Sequence, residues 1–374
     1  MVKLRKGIYI VILTVLILAS SEEAFALQYQ NSLNEIIKIG LLIADSTSVE
    51  ARNGAQLAIK ELNEQGGING RHIKLITRSL EGVWGSGSKE VVDLVFNENV
   101  WAILGSHDGR NAHVVEQVIA KTRVVFLSAW ASDPTLSQAY VPWYFSAVPN
   151  DIQQANALID EIYTRRKHEK LLVVLNHSYD SKMAWQSLRN EINKSGMVEP
   201  KAFFYDQTQD DFEEIISEIR NTNATAIILI GKPPQSWKFI DQLRLNSIDL
   251  PIFGNLSILG EGVFSERKIK DYDQVILMGS EKWLVSNSLS FQNRYFKEYN
   301  STPGAVAVYA YDGMKVLMNA LETSKLNRDK IRESMLNNEV VGFTGTMSFD
   351  KRGRRINTLE LIEIIDGIPV LNHK

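Results

Sequence analysis

WAILGSHDGRNAHVVEQVIAKTRVVFLSAWASDP, residues 101–134, is the stretch whose reading decides the fold. Two short apolar runs, Val100 to Leu104 and Val124 to Leu127, each end in small and polar residues. Between them Ala112, Val115, Val118 and Ile119 fall at helical spacing, so the pattern predicts strand, turn, helix, strand, turn. That is a βαβ unit. In open parallel sheets the residues just past the strand carboxyl ends line the ligand crevice, because helix amino termini and unpaired backbone donors converge there. Ser106 to Arg110 and Ser128 to Ser132 occupy those places and make the expected floor of a small-molecule site.

The same rhythm runs outward in both directions. Ile36 to Ile43 reads as a buried strand, Ala51, Ala55, Ala58, Ile59 and Leu62 mark one helix face, and Gly66-Gly67-Ile68-Asn69-Gly70 stops that helix and turns the chain into a strand over Arg71 to Arg78. A helix over Lys89 to Asn97 leads into the central unit. Past Pro149-Asn150-Asp151 a second series is expected: helix Ile152 to Tyr163, strand Leu171 to Leu175, helix Met183 to Asn193, strand Ala202 to Tyr205, helix Phe212 to Arg220 and strand Ala226 to Ile230. Val141 to Asp151 reads as the segment crossing between the two systems. Gln274 to Met278 predicts a further strand, Phe291 to Tyr299 and Ala305 to Ser324 a helical pair, and Met347 to Asp350 with Leu359 to Ile365 strands that close a sheet. Alternating β and α elements of this kind argue for α/β layers with parallel sheets.

At the amino terminus Lys3, Arg5 and Lys6 precede the apolar run Ile8 to Ala19, followed by Ala24-Phe25-Ala26. Basic, apolar and A-x-A in that order predict a secretory signal over residues 1–26, with a polar lead over 27–35. The apolar run is short of the roughly twenty residues that span a bilayer, which speaks against a membrane anchor. The chain has no cysteine, so a lipid-modified cysteine at the cleavage point and any disulfide are both excluded. A net charge of -3 over 374 residues does not suggest a polyanionic partner, and no nucleic acid is expected to bind.

Several motifs give the chain a family resemblance. They are NGAQLAIKELNEQGGINGR over Asn53 to Arg71, the run from Ser128 through Asp133-Pro134 to Ser137, the pair Asp211-Phe212, AYDG over Ala310 to Gly313, and GFTGTMSFDKRG over Gly342 to Gly353. In this order and spacing they resemble the periplasmic solute-binding proteins of the branched-chain amino-acid (leucine, isoleucine, valine) transport type. The resemblance covers nearly all of the chain past the signal. It implies a two-lobed type I periplasmic-binding fold, two parallel-sheet α/β lobes joined by three hinge strands, that clamps a small ligand as the lobes close. Lobe I is then expected to comprise residues 36–147 plus 280–340, and lobe II residues 148–279 plus 341–374. The resemblance also implies a periplasmic location, an ABC transporter permease as partner, no cofactor and a monomer.

Carried over residue by residue, the resemblance gives an incomplete amino-acid grip. The first carboxylate-binding hydroxyl falls on Gly109, which has none, with Arg110 beside it, and the second falls on Ser132, which keeps one. The carbonyl that takes a ligand ammonium falls near Trp130. The second-lobe acid that pairs with the ammonium falls around Leu256, where no carboxylate stands, and the covering aromatic falls on Pro233. An ammonium taken out of water needs an opposite charge or several acceptors, so a plain aliphatic amino acid is not the expected ligand. Asp108 and Arg110 are candidates for recognising a polar or charged ligand, with pairing to each other or to solvent as the alternative. Trp130 either stacks on the ligand or packs in the core, and Tyr179 is placed in the cleft. Trp84 is a candidate for the rim. The candidate binding set is therefore Ser106, Asp108, Gly109, Arg110, Ser128, Trp130, Ser132 and Tyr179.

Enzyme readings find little support. Without cysteine there is no thiol nucleophile, and neither a G-x-S-x-G elbow nor a phosphate-cradling G-x-x-x-x-G-K-[ST] run occurs. Of the six histidines, His107 and His113 with Asp108 form the one group resembling metal ligands, but their spacing does not point them the same way, so no metal is expected. The rival of another class is a ligand-sensing module for a membrane receptor, which uses the same closure; a hydrolase is a third reading.

Overall fold

The computed structural model describes residues 36–82, 87–262, 269–279, 281–284, 289–356 and 359–371. The predicted signal and lead, and Trp84, lie outside the described residues. The described chain builds two main sheets. In the first, strands β1 (Ile37–Ile43), β2 (Ile73–Ser79), β3 (Ala102–Ser106), β4 (Val125–Ser128) and β5 (Tyr144–Ser146) lie in the order β2-β1-β3-β4-β5. All its pairings are parallel. Strands β3 and β4, AILGS and VFLS, are buried along their whole length, as expected for strands covered by helices on both faces.

The second sheet combines β6 (Leu171–Asn176), β7 (Lys201–Tyr205), β8 (Ala226–Ile230), β9 (Ile252–Gly254) and β10 (Val275–Gly279) with β13 (Glu360–Ile365) and β14 (Ile368–Leu371). Its order is β14-β13-β10-β9-β8-β6-β7, parallel from β10 to β7 and antiparallel at the β13 and β14 edge. The fold is thus α/β with two lobes.

Two sequence expectations need correction. The stretch Val141 to Asp151 is not all crossing segment, because Tyr144–Ser146 pairs with β4 and completes the first sheet. A three-residue strand carries too little alternation to be recognised. Met347 to Asp350 does not close a main sheet: β12 (Gly345–Met347) pairs with β11 (Val340–Gly342) in a separate two-stranded ribbon. Helix Gln235–Leu245 and strand β9 were not foreseen.

The resemblance motifs acquire physical roles. Gly54 lets helix Val49–Glu64 pack against helix Ala305–Thr323, since a Cβ there would lie 2.0 Å from the Ala307 carbonyl oxygen. Gly66 and Gly67, at φ +98° and +70°, make the turn after the first of these helices. AYDG and GFTG meet: the buried Asp312 carboxylate accepts from the Phe343 and Thr344 amides at 3.1 and 2.6 Å and from the Thr344 hydroxyl at 2.8 Å. Buried Arg355 then donates to the carbonyls of Ala147 at 2.8 Å and Thr346 at 3.1 Å. With Ser146 N–H donating to the Gly353 carbonyl at 2.8 Å, the chain leaving the first sheet is tied to the chain entering the second. These bonds hold two inter-lobe passages side by side.

Candidate functional site

Helices Gly109–Thr122 and Tyr179–Lys194 follow β3, the middle strand of the first sheet, and β6, which lies between β8 and β7 in the second, and their amino termini meet across the inter-lobe gap. Each is capped from its own turn, Asp108 accepting from the Asn111 amide at 2.8 Å and Ser178 from the Ser181 amide at 3.2 Å. The Gly109 amide donates across the gap to Asp180 Oδ1 at 2.9 Å, and Lys232 Nζ lies 2.9 Å from Asp180 Oδ2. Burial works to lower the Lys232 pKa, but the Asp180 and Asp108 carboxylates together more than offset this, and the ammonium titrates above its ordinary value.

A second bridge centres on Asp133. It caps helix Pro134–Gln138, with Oδ1 accepting from the Thr135 amide at 2.8 Å and hydroxyl at 2.6 Å. Its Oδ2 accepts from the Tyr179 hydroxyl of the other lobe at 2.8 Å and lies 3.1 Å from His113 Nε2. Bonding to Asp133 and then Glu116 raises the His113 imidazole to about 9, so it is charged at neutral pH. Burial pushes Asp133 up, but His113, Thr135 and Tyr179 together hold it below its ordinary value. Burial, followed by the bond to Asp133, raises the Tyr179 phenol.

At the other end of the gap the helix Val49–Glu64 meets the turn after Leu259. The Glu50 amide donates to the Glu261 carboxylate, and the Gly262 amide donates to Glu50 Oε1 at 3.2 Å. Burial, and then repulsion from Glu261, raises Glu50 to about 8; burial foremost raises Glu261 to about 7.

The expected binding residues divide into three groups. Gly109, Ser132 and Tyr179 lie where the lobes meet: Gly109 and Tyr179 as described, and Ser132 with its carbonyl accepting from the Asp151 amide at 2.8 Å. Ser106 and Ser128 end their strands as buried residues, Ser128 Oγ accepting from the Ala131 amide at 3.2 Å. Asp108 is engaged as a helix cap, Arg110 is exposed on the same first turn, and Trp130 packs edge-on against Tyr309 with ring centroids 6.2 Å apart. His107, the neighbour of Asp108, stacks on Phe126 with centroids 5.9 Å apart. Leu256, onto which the resemblance carries the ammonium-pairing acid, is buried, its amide donating to Gln154 Oε1 at 2.9 Å.

Among the groups at this junction outside the expected set are Asp133, Asp151, Asp180 and Lys232. Three of them were legible as local signals. Asp133 before Pro134 is a cap followed by proline at the first helical position, and Asp151 and Asp180 open helices just after polar turns. Lys232 left no such mark.

Two parallel-sheet lobes meeting over helix amino termini, with polar groups of both converging on the gap, define a two-lobed ligand-clamping protein. Residues 36–367 match the family described as periplasmic binding protein, and the chain belongs to it. A Pseudomonas aeruginosa amino acid binding protein is 20% identical over 304 residues, covering 80% of this chain and 81% of the relative. The Leu/Ile/Val-binding protein homolog 1 of Brucella abortus is 19% identical over 338 residues, 85% and 86% of the two chains. Among solved structures, the branched-chain amino-acid transporter substrate-binding protein LivJ of Streptococcus pneumoniae, in complex with isoleucine, superposes with a TM-score of 0.78 at 22% identity, covering 91% of this chain and 98% of its own. An ABC transporter solute-binding protein of R. palustris in complex with benzoate superposes with a TM-score of 0.77 at 14% identity, covering 90% and 96%.

Proposed function

We propose that this protein is an extracytoplasmic solute-binding protein that closes its lobes over a small polar ligand and presents the closed form to an ABC permease. It performs no chemistry on that ligand. The observation that carries this reading is the meeting of two helix amino termini across the gap, Gly109 on one lobe against Asp180 on the other. A ligand seated there gains contacts from both lobes only in the closed state, and that difference is what drives closure. Lobe I is taken as residues 36–147 plus 280–340 and lobe II as 148–279 plus 341–374; support for this division comes from the strands between 37 and 146 forming one sheet and those in 171–279 and 360–371 the other. Export to the periplasm through the signal at residues 1–26, and action as a monomer, complete the reading.

The test is a thermal-shift screen of the purified mature protein against amino acids, amides, urea-like compounds and aromatic acids, followed by chromatography of the bound solute. At least one class should raise the melting temperature and be recovered unchanged. Turnover of the solute would overturn the reading in favour of an enzyme. Ser132→Ala is expected to weaken the ligand found, and unchanged affinity would remove Ser132 from the site.

A further inference from the structure

Helices Gly109–Thr122 and Tyr179–Lys194 bring two amino termini face to face, one from each lobe. Each such terminus carries partial positive charge from its unpaired amides, so the two ends repel unless negative charge lies between them. Asp180 supplies it. Its Oδ1 accepts from the Gly109 amide of the other lobe at 2.9 Å, and the carboxylate stands on the first turn of its own helix. Lys232, which follows β8 as Asp180 follows β6, lies 2.9 Å from Oδ2 and leaves Oδ1 for Gly109. Asp108, the other carboxylate near this junction, is committed to its own helix, accepting from the Asn111 amide at 2.8 Å.

The contact is one of a pair. Tyr179, the residue before Asp180, donates its hydroxyl to Asp133 Oδ2 of the other lobe at 2.8 Å. Two consecutive residues of one helical turn thus reach across the gap, and both contacts are made between groups of the chain itself. Gly109 permits the approach, since a Cβ there would lie 2.8 Å from the Asp133 Cβ and 3.4 Å from Asp180 Oδ1, crowding the acceptors of both bonds. When the lobes part, Asp180 keeps Lys232 and loses only Gly109. Closing is therefore decided at this carboxylate by one charge-assisted hydrogen bond and by the relief it gives to two facing helix ends.

Resting on the solute-binding reading, we propose that Asp180 is a built-in latch: it takes the place between the two helix ends that a solute anion would otherwise fill, and with Tyr179 it holds a fraction of the protein closed with no solute bound. Lys232 acts through Asp180 as its positioning residue. A solute then adds contacts to a closure that the chain already favours, and a solute carboxylate reaches the Gly109 amide only by displacing Asp180.

Dipolar electron-spin distance measurement on the mature protein, freed of carried solute by unfolding and refolding, tests this. The chain has no cysteine, so Lys121→Cys and Lys194→Cys give two exposed labels at the far ends of the two helices, one on each lobe. Without solute, a short-distance population is expected beside the long one. Asp180→Ala should lower the ratio of short to long about tenfold or more, the loss of one hydrogen bond to a charged acceptor. Asp180→Asn, which keeps an acceptor oxygen without the charge, should lower it less. The double substitution Asp180→Ala with Lys232→Met strands no ammonium and should show the same loss as Asp180→Ala alone. Long distances only in the unaltered protein overturn the latch, and so does an unchanged ratio in Asp180→Ala. A double variant that regains the unaltered ratio also overturns it, because the freed ammonium would then account for the opening. All three results leave the solute-binding reading standing, since that reading fails only if the solute screen finds no binder or finds turnover.

Discussion

At the Asp133 end of the cleft each carboxylate that bridges the lobes faces a cation, His113 for Asp133 and Lys232 for Asp180, whereas at the far end Glu50 and Glu261 face each other. Both ends join the same two lobes, yet they answer acid and alkali for different reasons. At the first end rising pH removes an attraction, by neutralising His113. At the second it creates a repulsion, by ionising two carboxyls already packed together. The same closed form therefore has one end that neutral pH holds and one that neutral pH strains.

The largest break in this comparison comes from Asp133→Ala. Asp133 is buried and serves at once as helix cap, partner of His113 and acceptor of the Tyr179 hydroxyl across the lobes. Its removal strands a charged imidazole and costs about 3 kcal/mol or more, as breaking a buried pair does. Urea denaturation at pH 7 measures this. Asp133→Asn, which retains an acceptor for Thr135, should lose less.

Glu50→Gln sharpens the other side. Glu50 is raised from 4.5 to about 8, so its contribution is fully present below about pH 4.5 and is lost as pH rises towards 8. Fixing the side chain neutral should leave stability unchanged near pH 4 and increase it at pH 8 by on the order of 2 kcal/mol. Melting temperatures of the two proteins across that range give the result, and parallel curves would show that Glu50 and Glu261 do not oppose each other.

His113→Gln is the smaller counterpart with the opposite direction. The imidazole is raised from 6.5 to about 9, so it stabilises fully below pH 6.5 and ceases to as pH passes 9. Its side chain is 33% exposed, which screens the pair, and a loss on the order of 1 kcal/mol is expected at pH 6, vanishing above pH 9. A loss that persists at pH 10 would assign His113 a packing role instead.

The sequence made the two ends unequally legible. Helices and strands with long apolar periods could be read directly: AIILI over Ala226–Ile230 and the helix Ala305–Thr323 emerge with nearly the expected bounds. The short strands Tyr144–Ser146 and Ile252–Gly254 carry no period to read, and their place is set by neighbours far along the chain. In the site, the turns after β3 and β4 were legible from position in the βαβ unit, which brought Gly109 and Ser132 to the cleft. Position says nothing of what a side chain meets there. Asp108 was a candidate for ligand contact but is spent on its own helix, and Asp180, 71 residues beyond Gly109, reaches it only because two sheets face each other. Glu50 and Glu261 are 211 residues apart, and no local pattern could join them.

Tyr179→Phe gives the finest test of the difference between the ends. The substitution removes the cross-lobe hydroxyl but leaves Asp133 with His113 and Thr135, so no charge is stranded. The loss should then be that of one hydrogen bond to a charged acceptor, about 1–2 kcal/mol reduced by the exposure of the junction to water, and it should be constant between pH 5 and 8. Constancy is the informative part. If the loss grew with pH, the phenol would be supporting the His113 charge through Asp133, and the two contacts of that carboxylate would have to be treated as one coupled unit; a double substitution with His113→Gln would then cost less than the two singly measured losses added together.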